Sequence, residues 1–296
     1  MRRLCDLHSH STASDGSLSP SDVVRLAERR QLAGIALTDH DTTDGLADAA
    51  ATAREFPELT FVPGVELSAV PPQGTLHVLG LGIDPAAPSL RTLIDELLAA
   101  RNERNPRIIA RLQELGIKIS MDEVREAAIG PLPPHLAAEE MVLGRVHMAQ
   151  VLLHKGYVKT IDEAFVRYLG DGAPAFVDKE RLAPRTVADA IHGAGGLAII
   201  AHPVQLGFEN LAQAQRLIRL LVDQGMDGLE VYHSDHSDLL TRFFLDLARQ
   251  FHLAVSGGSD FHGLVKPHVQ LGRPRVPVSI LQDLLGRLGK APKPEK

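Results

Sequence analysis

One cysteine, Cys5, stands among 296 residues, so no internal disulfide can form and no cysteine-based zinc cluster can be built. Any metal must be held by imidazoles and carboxylates, and the chain has 14 histidines. Positive charge is not in excess: Lys plus Arg number 31 against 37 Asp plus Glu, a net charge of -6. With no global positive field to hold long nucleic acid, an anionic substrate must be met by local cations. No apolar run reaches the roughly 20 residues a membrane helix needs. Met1-Arg2-Arg3-Leu4 leads into polar, histidine-rich sequence and not into a signal-peptide apolar stretch. The expected setting is cytoplasmic, with no membrane partner. Repeats and low-complexity segments are also missing, and nothing in the sequence reports an oligomeric state.

What is present is a rhythm. Short apolar stretches recur at Leu4 to His10, Gly34 to His40, Leu59 to Glu66, Leu76 to Gly82, Leu197 to His202, Gly228 to His233 and Leu253 to His262. Each reads as a strand, and amphipathic segments with helix signals lie between many of them. Ser19 can cap a helix beginning at Pro20 and running through Arg30. This alternation predicts an α/β fold with parallel strands inside and helices outside, and about seven strands suit a barrel. Residues 98–169 break the rhythm. They read as a small helical subdomain inserted over the active site, between barrel segments 1–97 and 170–290. Its centre, Gly130-Pro131-Leu132-Pro133-Pro134, is a clear breaker. Asn105-Pro106 reads as a helix start and Leu115-Gly116 as that helix's end, which puts Arg101 and Arg104 just before a hinge-like break. The polar tail 291–296 is expected to be disordered. Gly193-Ala194-Gly195-Gly196 reads as a helix-ending turn and not as a nucleotide loop.

Chemistry-bearing residues cluster at the strand ends. His8 and His10, two apart on an extended chain, face the same way. Asp15 lies in a turn five residues on. Asp39 and His40 point to opposite sides while extended, so one can ligate while the other orients. Glu66 closes the third strand, His77 begins the fourth, and His202 ends a buried-type strand before Pro203. Asp260 and His262 repeat the spacing of the first pair, and Gly257 and Gly258 allow close backbone approach. In a barrel these ends converge on one mouth. Six imidazoles and three carboxylates suit Mn, Fe, Zn or Co better than Ca or Mg. Nine ligands imply two or three ions, with Glu66 a natural bridge. Cys5, three residues before His8, is expected in the core, facing the helix layer.

With these residues in hand, the sequence resembles the PHP superfamily, the polymerase and histidinol phosphatase domains. Asp6-Leu7-His8-Ser9-His10 with Asp15, Thr38-Asp39-His40, Pro63-Gly64-Val65-Glu66, His77, Ala201-His202-Pro203 and Ser259-Asp260-Phe261-His262 match its motifs in order. The resemblance implies a distorted seven-stranded (β/α)7 barrel with a trinuclear centre, manganese first among the metals, and phosphoesterase activity. It assigns His8, His10, Glu66 and Asp260 to one ion, Asp15, His40 and His262 to a second, and Glu66, His77 and His202 to a third. Within the superfamily the helical insertion is most similar to the bacterial group that dephosphorylates nucleoside 3',5'-bisphosphates and trims short RNA from the 5' end. That likeness casts Arg101, Asn102, Arg104 and Arg145 as phosphate contacts, while Arg107 and Arg111 read as a solvated helix face. The expected substrate is a small phosphorylated molecule, a nucleotide or short oligonucleotide.

The expected chemistry is in-line attack by a hydroxide bridging two ions. Asp15, His40 and His233 are the candidates for a direct catalytic part, and His236 for a substrate contact. Glu230 is open between supporting a ligand and stabilising the barrel. Three rival readings stand beside this one: a histidinol-phosphate-type phosphatase, a proofreading exonuclease that would require an attached polymerase, and a metal-free PHP scaffold. The scaffold reading predicts lost ligands, and none of the nine is lost.

Overall fold

The structure, a computed structural model, describes residues 2–129, 142–178 and 182–289. The proline-rich breaker at 130–134 and the tail 291–296 lie outside the described residues. Eight strands form one sheet: β1 (Leu4–Asp6), β2 (Gly34–Leu37), β3 (Thr60–Ala69), β4 (Leu76–Leu81), β5 (Leu197–Ile200), β6 (Gly228–Tyr232), β7 (Ala254–Gly257) and β8 (Val276–Pro277). Helices α1 (Pro20–Arg29), α2 (Leu46–Ala53), α7 (Pro184–Gly193), α8 (Leu211–Val222) and α9 (Asp238–Gln250) alternate with the strands. α10 (Val278–Leu288) ends the described chain. Ser19 caps α1 by accepting from the Asp22 amide, with Pro20 in its first turn, as its sequence predicts. α7 likewise stops at Gly193, and Gly195 turns the chain in the left-handed conformation.

Neighbouring strands run β7-β6-β5-β4-β3-β2-β1-β8. The ring nearly closes where Leu7 donates to the Gly257 carbonyl at 3.0 Å and His10 to the Phe261 carbonyl at 2.9 Å. The all-parallel expectation needs correction. β4 runs antiparallel to both β3 and β5, and β8 antiparallel to β1. Only residues 70–75 separate β3 from β4, too few for the crossover that a parallel pair requires.

Alternate residues along the strands serve two cores. Ile35, Leu37, Val65, Leu67, Ile200 and Leu229 pack outward against the helices. Ala36, Val62, Leu79, Leu81, Ile199 and Val276 fill the barrel, joined by Leu281 and Leu284 of α10, which plugs its lower end. A Cβ on Gly34 would collide with Leu281, so that plug depends on a glycine at the start of β2. Cys5 is buried as expected, but it belongs to this inner cluster and not to the helix layer. The chain leaves strand geometry after Asp6, so alternation counted back from His8 fails.

The stretch after β4 is helical. α3 (Pro88–Glu114), α4 (Met121–Ile129), α5 (Arg145–His154), α6 (Ile161–Ala164) and a π-helical turn at Phe165–Leu169 follow one another. Ile108, Leu112, Val124, Met148, Leu152 and Leu169 give this stretch a core of its own. The expected break at Asn105-Pro106 is absent, because α3 runs unbroken through Pro106. Pro106 removes only the bond to the Asn102 carbonyl, and 27 residues of packed helix absorb that loss. Asn105 is buried, its amide donating to the Leu143 carbonyl, and is not a cap. The predicted end at Leu115-Gly116 holds, with Gly116 left-handed.

Candidate metal centre

His8 and His10 lie just past β1, and their Nε2 atoms approach to 3.1 Å. Both face Glu66 Oε2, at 3.3 and 3.2 Å, and Asp260 Oδ1, at 3.5 and 3.2 Å. An ion at about 2.1 Å from each of four such atoms would set them roughly 3.0–3.4 Å apart, which matches these separations except the slightly longer 3.5 Å between His8 and Asp260. Glu66 is the hub of the centre. Its Oε2 also meets His40 Nδ1 at 3.1 Å, while its Oε1 meets His77 Nδ1 at 3.0 Å and His202 Nε2 at 2.8 Å. A second group forms where Asp15 Oδ1 lies 3.2 Å from His262 Nε2, with His40 and His10 at 3.9 Å from the same carboxylate. All nine residues expected to ligate thus come together. His77 joins them because β4 is reversed: its first residues lie at the mouth where the parallel strands end.

A supporting layer of carboxylates holds these groups. Glu230 takes both parts left open by its sequence. Its Oε1 meets His8 Nδ1 at 3.0 Å, fixing the ring, and its Oε2 accepts from the His202 backbone at 2.6 Å, fixing the next loop. Asp39 is the orienting member of its pair. It accepts from the Ser11 amide, the Ser11 hydroxyl and the Ser14 hydroxyl, and so shapes the turn that presents Asp15. Asp6 does the same for Asp260, accepting from the Ser259 and Gly272 amides. His202, Asp260 and Asp41 adopt positive φ without being glycine, strain of about 1–3 kcal/mol each that the surrounding bonds must hold.

The electrostatics call for cations. Burial opposes ionisation of Glu66, Asp15 and Asp260, yet the surrounding imidazoles, and Lys266 beside Asp260, hold all three well below the usual carboxylate range. Burial also opposes a charged His10, but its bonds to Asp260 and Glu66 outweigh that and raise it to about 9. His40, for which burial wins, falls to about 3. Buried polar atoms left without a hydrogen-bond partner include Glu66 Oε2, His10 Nδ1, His40 Nδ1, His77 Nδ1 and His202 Nδ1. Each such atom ordinarily costs about 1–3 kcal/mol. Several orphaned donor atoms turned inward, with nitrogen and oxygen but no sulfur, fit divalent transition ions.

A cavity of about 680 Å³ opens above the centre. Asp15, His40, His77 and His262 line one side, and Arg101, Arg104 and Arg145 the helical side. Arg101 is buried and held by Asp41, its Nε donating to Oδ2 at 2.7 Å. Arg145 lies between the Phe165 and Phe176 rings, 5.7 and 5.5 Å from their centroids, and donates to the Leu169 carbonyl. Two other expected contacts lie elsewhere. Asn102 is exposed on the solvent side of α3, and it is not among the cavity-lining residues. His236 packs on Phe244, bonds to the Val231 carbonyl and lines a separate recess. His233, expected as a catalytic residue, borders that recess but is buried against the centre, with Nε2 3.7 Å from Asp260 Oδ2 and its ring grouped with His8 and Glu230. Sequence reasoning passed over Asp41, buried His147, whose Nδ1 accepts from the Gly144 amide, and Lys266, which pairs with Asp260. Asp41 directly follows His40, a position that could have drawn notice.

Gly258 sits beneath the centre, where an added Cβ would land on the backbone nitrogen and Cβ of His8. Gly258→Ala is expected to displace His8 and to lower bound metal per chain, measured by plasma emission, while Gly286→Ala, with open space around it, leaves it unchanged.

A barrel whose mouth gathers nine imidazoles and carboxylates that could hold metal ions, beneath an arginine-walled cavity, is the arrangement of a hydrolase site. Residues 6–169 match the PHP domain model. A 3',5'-nucleoside bisphosphate phosphatase from Chromobacterium violaceum is 38% identical over 258 residues, 87% of this chain and 86% of that protein. A 5'-3' exoribonuclease from Haemophilus influenzae is 35% identical over 269 residues, 88% of this chain and 91% of its own. Among solved structures, one assigned as a metal-dependent phosphoesterase from Bifidobacterium adolescentis superposes with a TM-score of 0.84 and 29% identity, covering 96% of each chain. The chain belongs to the PHP domain family and is a hydrolase of phosphoester bonds. Among the described residues, no helix is long and apolar enough to cross a membrane.

Proposed function

We propose that this protein removes phosphate from nucleotides, with nucleoside 3',5'-bisphosphates as preferred substrates and the 5' ends of short RNA as a second class. The observation that carries the reading is one cavity with inward-facing imidazoles and carboxylates on its floor and fixed guanidinium groups on its wall. Two or three divalent ions, manganese first, are proposed on His8, His10, Asp15, His40, Glu66, His77, His202, Asp260 and His262. When bound, such ions acidify a water towards neutrality and neutralise phosphoryl oxygens.

The remaining steps belong to the protein's own side chains. Arg101 and Arg145 bind phosphate in geometries set before substrate arrives, one by Asp41 and the other by two aromatic faces, so little ordering entropy is lost on binding. Arg104, whose guanidinium bonds Asn105, widens the same cationic wall. In this reading residues 98–169 are the insertion that roofs the site. The cavity volume suits a nucleotide, within the ~300–1,000 Å³ of small-molecule sites. Asn102 and His236, away from the cavity, are given no contact. His233 is proposed to position Asp260. The two relatives' activities support the substrate class.

The test is phosphate release from adenosine 3',5'-bisphosphate, AMP and histidinol phosphate by metal-stripped protein, with and without Mn²⁺, and with His8→Ala as control. Manganese-restored release selective for the bisphosphate is the expected result. Release from histidinol phosphate alone would overturn the substrate. No release from any ester with any divalent ion would overturn the catalytic reading.

A further inference from the structure

Lys266 follows the short turn Gly263–Val265 after β7 and reaches back over the centre. Its Nζ donates to Asp260 Oδ2 at 2.6 Å, while Asp260 Oδ1 faces His8, His10 and His262. The lysine lines the 680 Å³ cavity, on the barrel side, together with Asp15, His40 and His262. Its ammonium sits in the fields of Asp260, Asp15 and Glu66. All three are carboxylates that the metal centre would use.

This pairing cannot keep its value once ions are present. Two divalent ions bring four positive charges to three carboxylates. A lysine attracted to that cluster without ions is therefore repelled by it with them. A lysine reaching into open solvent would feel little of this reversal, but Lys266, with its side chain 35% exposed, holds its ammonium directly on the buried carboxylate of Asp260. The charge left at the mouth calls for an anion, and a phosphoryl group is the anion the site is built to receive. Lysine binds phosphate as a compact point charge with three rotatable donors, so it can change partner without a change of backbone.

We propose that Lys266 is a phosphate-binding residue that, in the metal-loaded protein, leaves Asp260 and donates to the substrate's phosphoryl oxygens from the barrel side, opposite Arg101 and Arg145. The inference rests on the phosphoesterase reading above and adds to it a residue on the other wall. The phosphate is then gripped from two sides, and the barrel loop after β7 supplies both a ligand and a substrate contact.

The test uses full-length protein loaded with Mn²⁺, inorganic phosphate as the probe, and the variants Lys266→Met and Lys266→Arg. Metal per chain is measured by plasma emission, phosphate affinity by calorimetry, and kcat and KM on adenosine 3',5'-bisphosphate. Loss of one charge-assisted hydrogen bond predicts phosphate binding weakened about 10- to 100-fold in Lys266→Met, with metal content unchanged and most affinity recovered in Lys266→Arg. Unchanged phosphate affinity in Lys266→Met would overturn the proposal. So would loss of metal in that variant, which would make Lys266 a positioning residue for Asp260. If the wild-type protein binds phosphate through Lys266 yet hydrolyses no ester, this inference stands and the phosphoesterase reading falls.

Discussion

Glu66→Gln is expected to lower kcat on the preferred ester by about 10³-fold or more, the scale of several kcal/mol that metal-centred charge stabilisation supplies. The change keeps size and shape, so the loss would not come from packing. Glu66 meets five imidazoles, His8, His10 and His40 through one oxygen and His77 and His202 through the other. An amide keeps one of those acceptors and turns the other into a donor. Metal per chain, measured beside the rate, should fall from two or three towards one or none. A variant that keeps its full metal content and wild-type kcat would remove Glu66 from the centre.

The second large effect is on stability. The inner face of the mouth carries buried atoms with no partner, and five of them belong to the proposed ligands. A divalent ion that binds the folded chain alone, at a hundredfold over its dissociation constant, stabilises it by about 2.7 kcal/mol. For a chain of this size that is worth about 4 °C in melting temperature. Manganese added to stripped protein is expected to raise the melting point by this amount, and a chelator to reverse it. Glu66→Gln should show little of the rise. Calcium should do far less than manganese, because the site offers six imidazoles. A melting curve indifferent to every transition ion would count against a metal centre of any nuclearity.

Much of this centre can be read directly in the chain, for a physical reason. Ligands at strand ends must be polar residues abutting apolar runs, and His8, His40, His202 and His262 each interrupt such a run visibly. The helix caps at Ser19 and Gly195 were legible because they obey local rules. What local rules miss is set by tertiary packing. The reversal of β4 depends on a six-residue connection, and only the length of that connection hinted at it. The unbroken α3 overrides a strong local signal at Pro106 because the buried residues on both sides, Arg104 and Asn105 before it and Ile108 and Ile109 after it, hold the helix in place. His236, one of several histidines near the site in sequence, faces Phe244 because its loop after β6 turns away from the mouth. For Asp41 the only signal is its place after His40, because its partner Arg101 reaches it from α3, and the pairing of Lys266 with Asp260 is made by the fold of the loop after β7.

The seam of the barrel has a consequence for how the protein comes to hold its ions. The first proposed ligand is residue 8 and the last is residue 262, and they are brought together where Ser9 pairs with Phe261 and His10 donates to its carbonyl. A chain still emerging from the ribosome therefore has fragments of the centre but no complete pocket until nearly the whole sequence has been made. Joining such distant segments is slow, because a long loop must close before the contact rewards it. Ion uptake by the proposed centre is therefore expected late in folding. A chain truncated before residue 260 would keep most of its helices and about seven-eighths of these 296 residues while lacking Asp260 and His262.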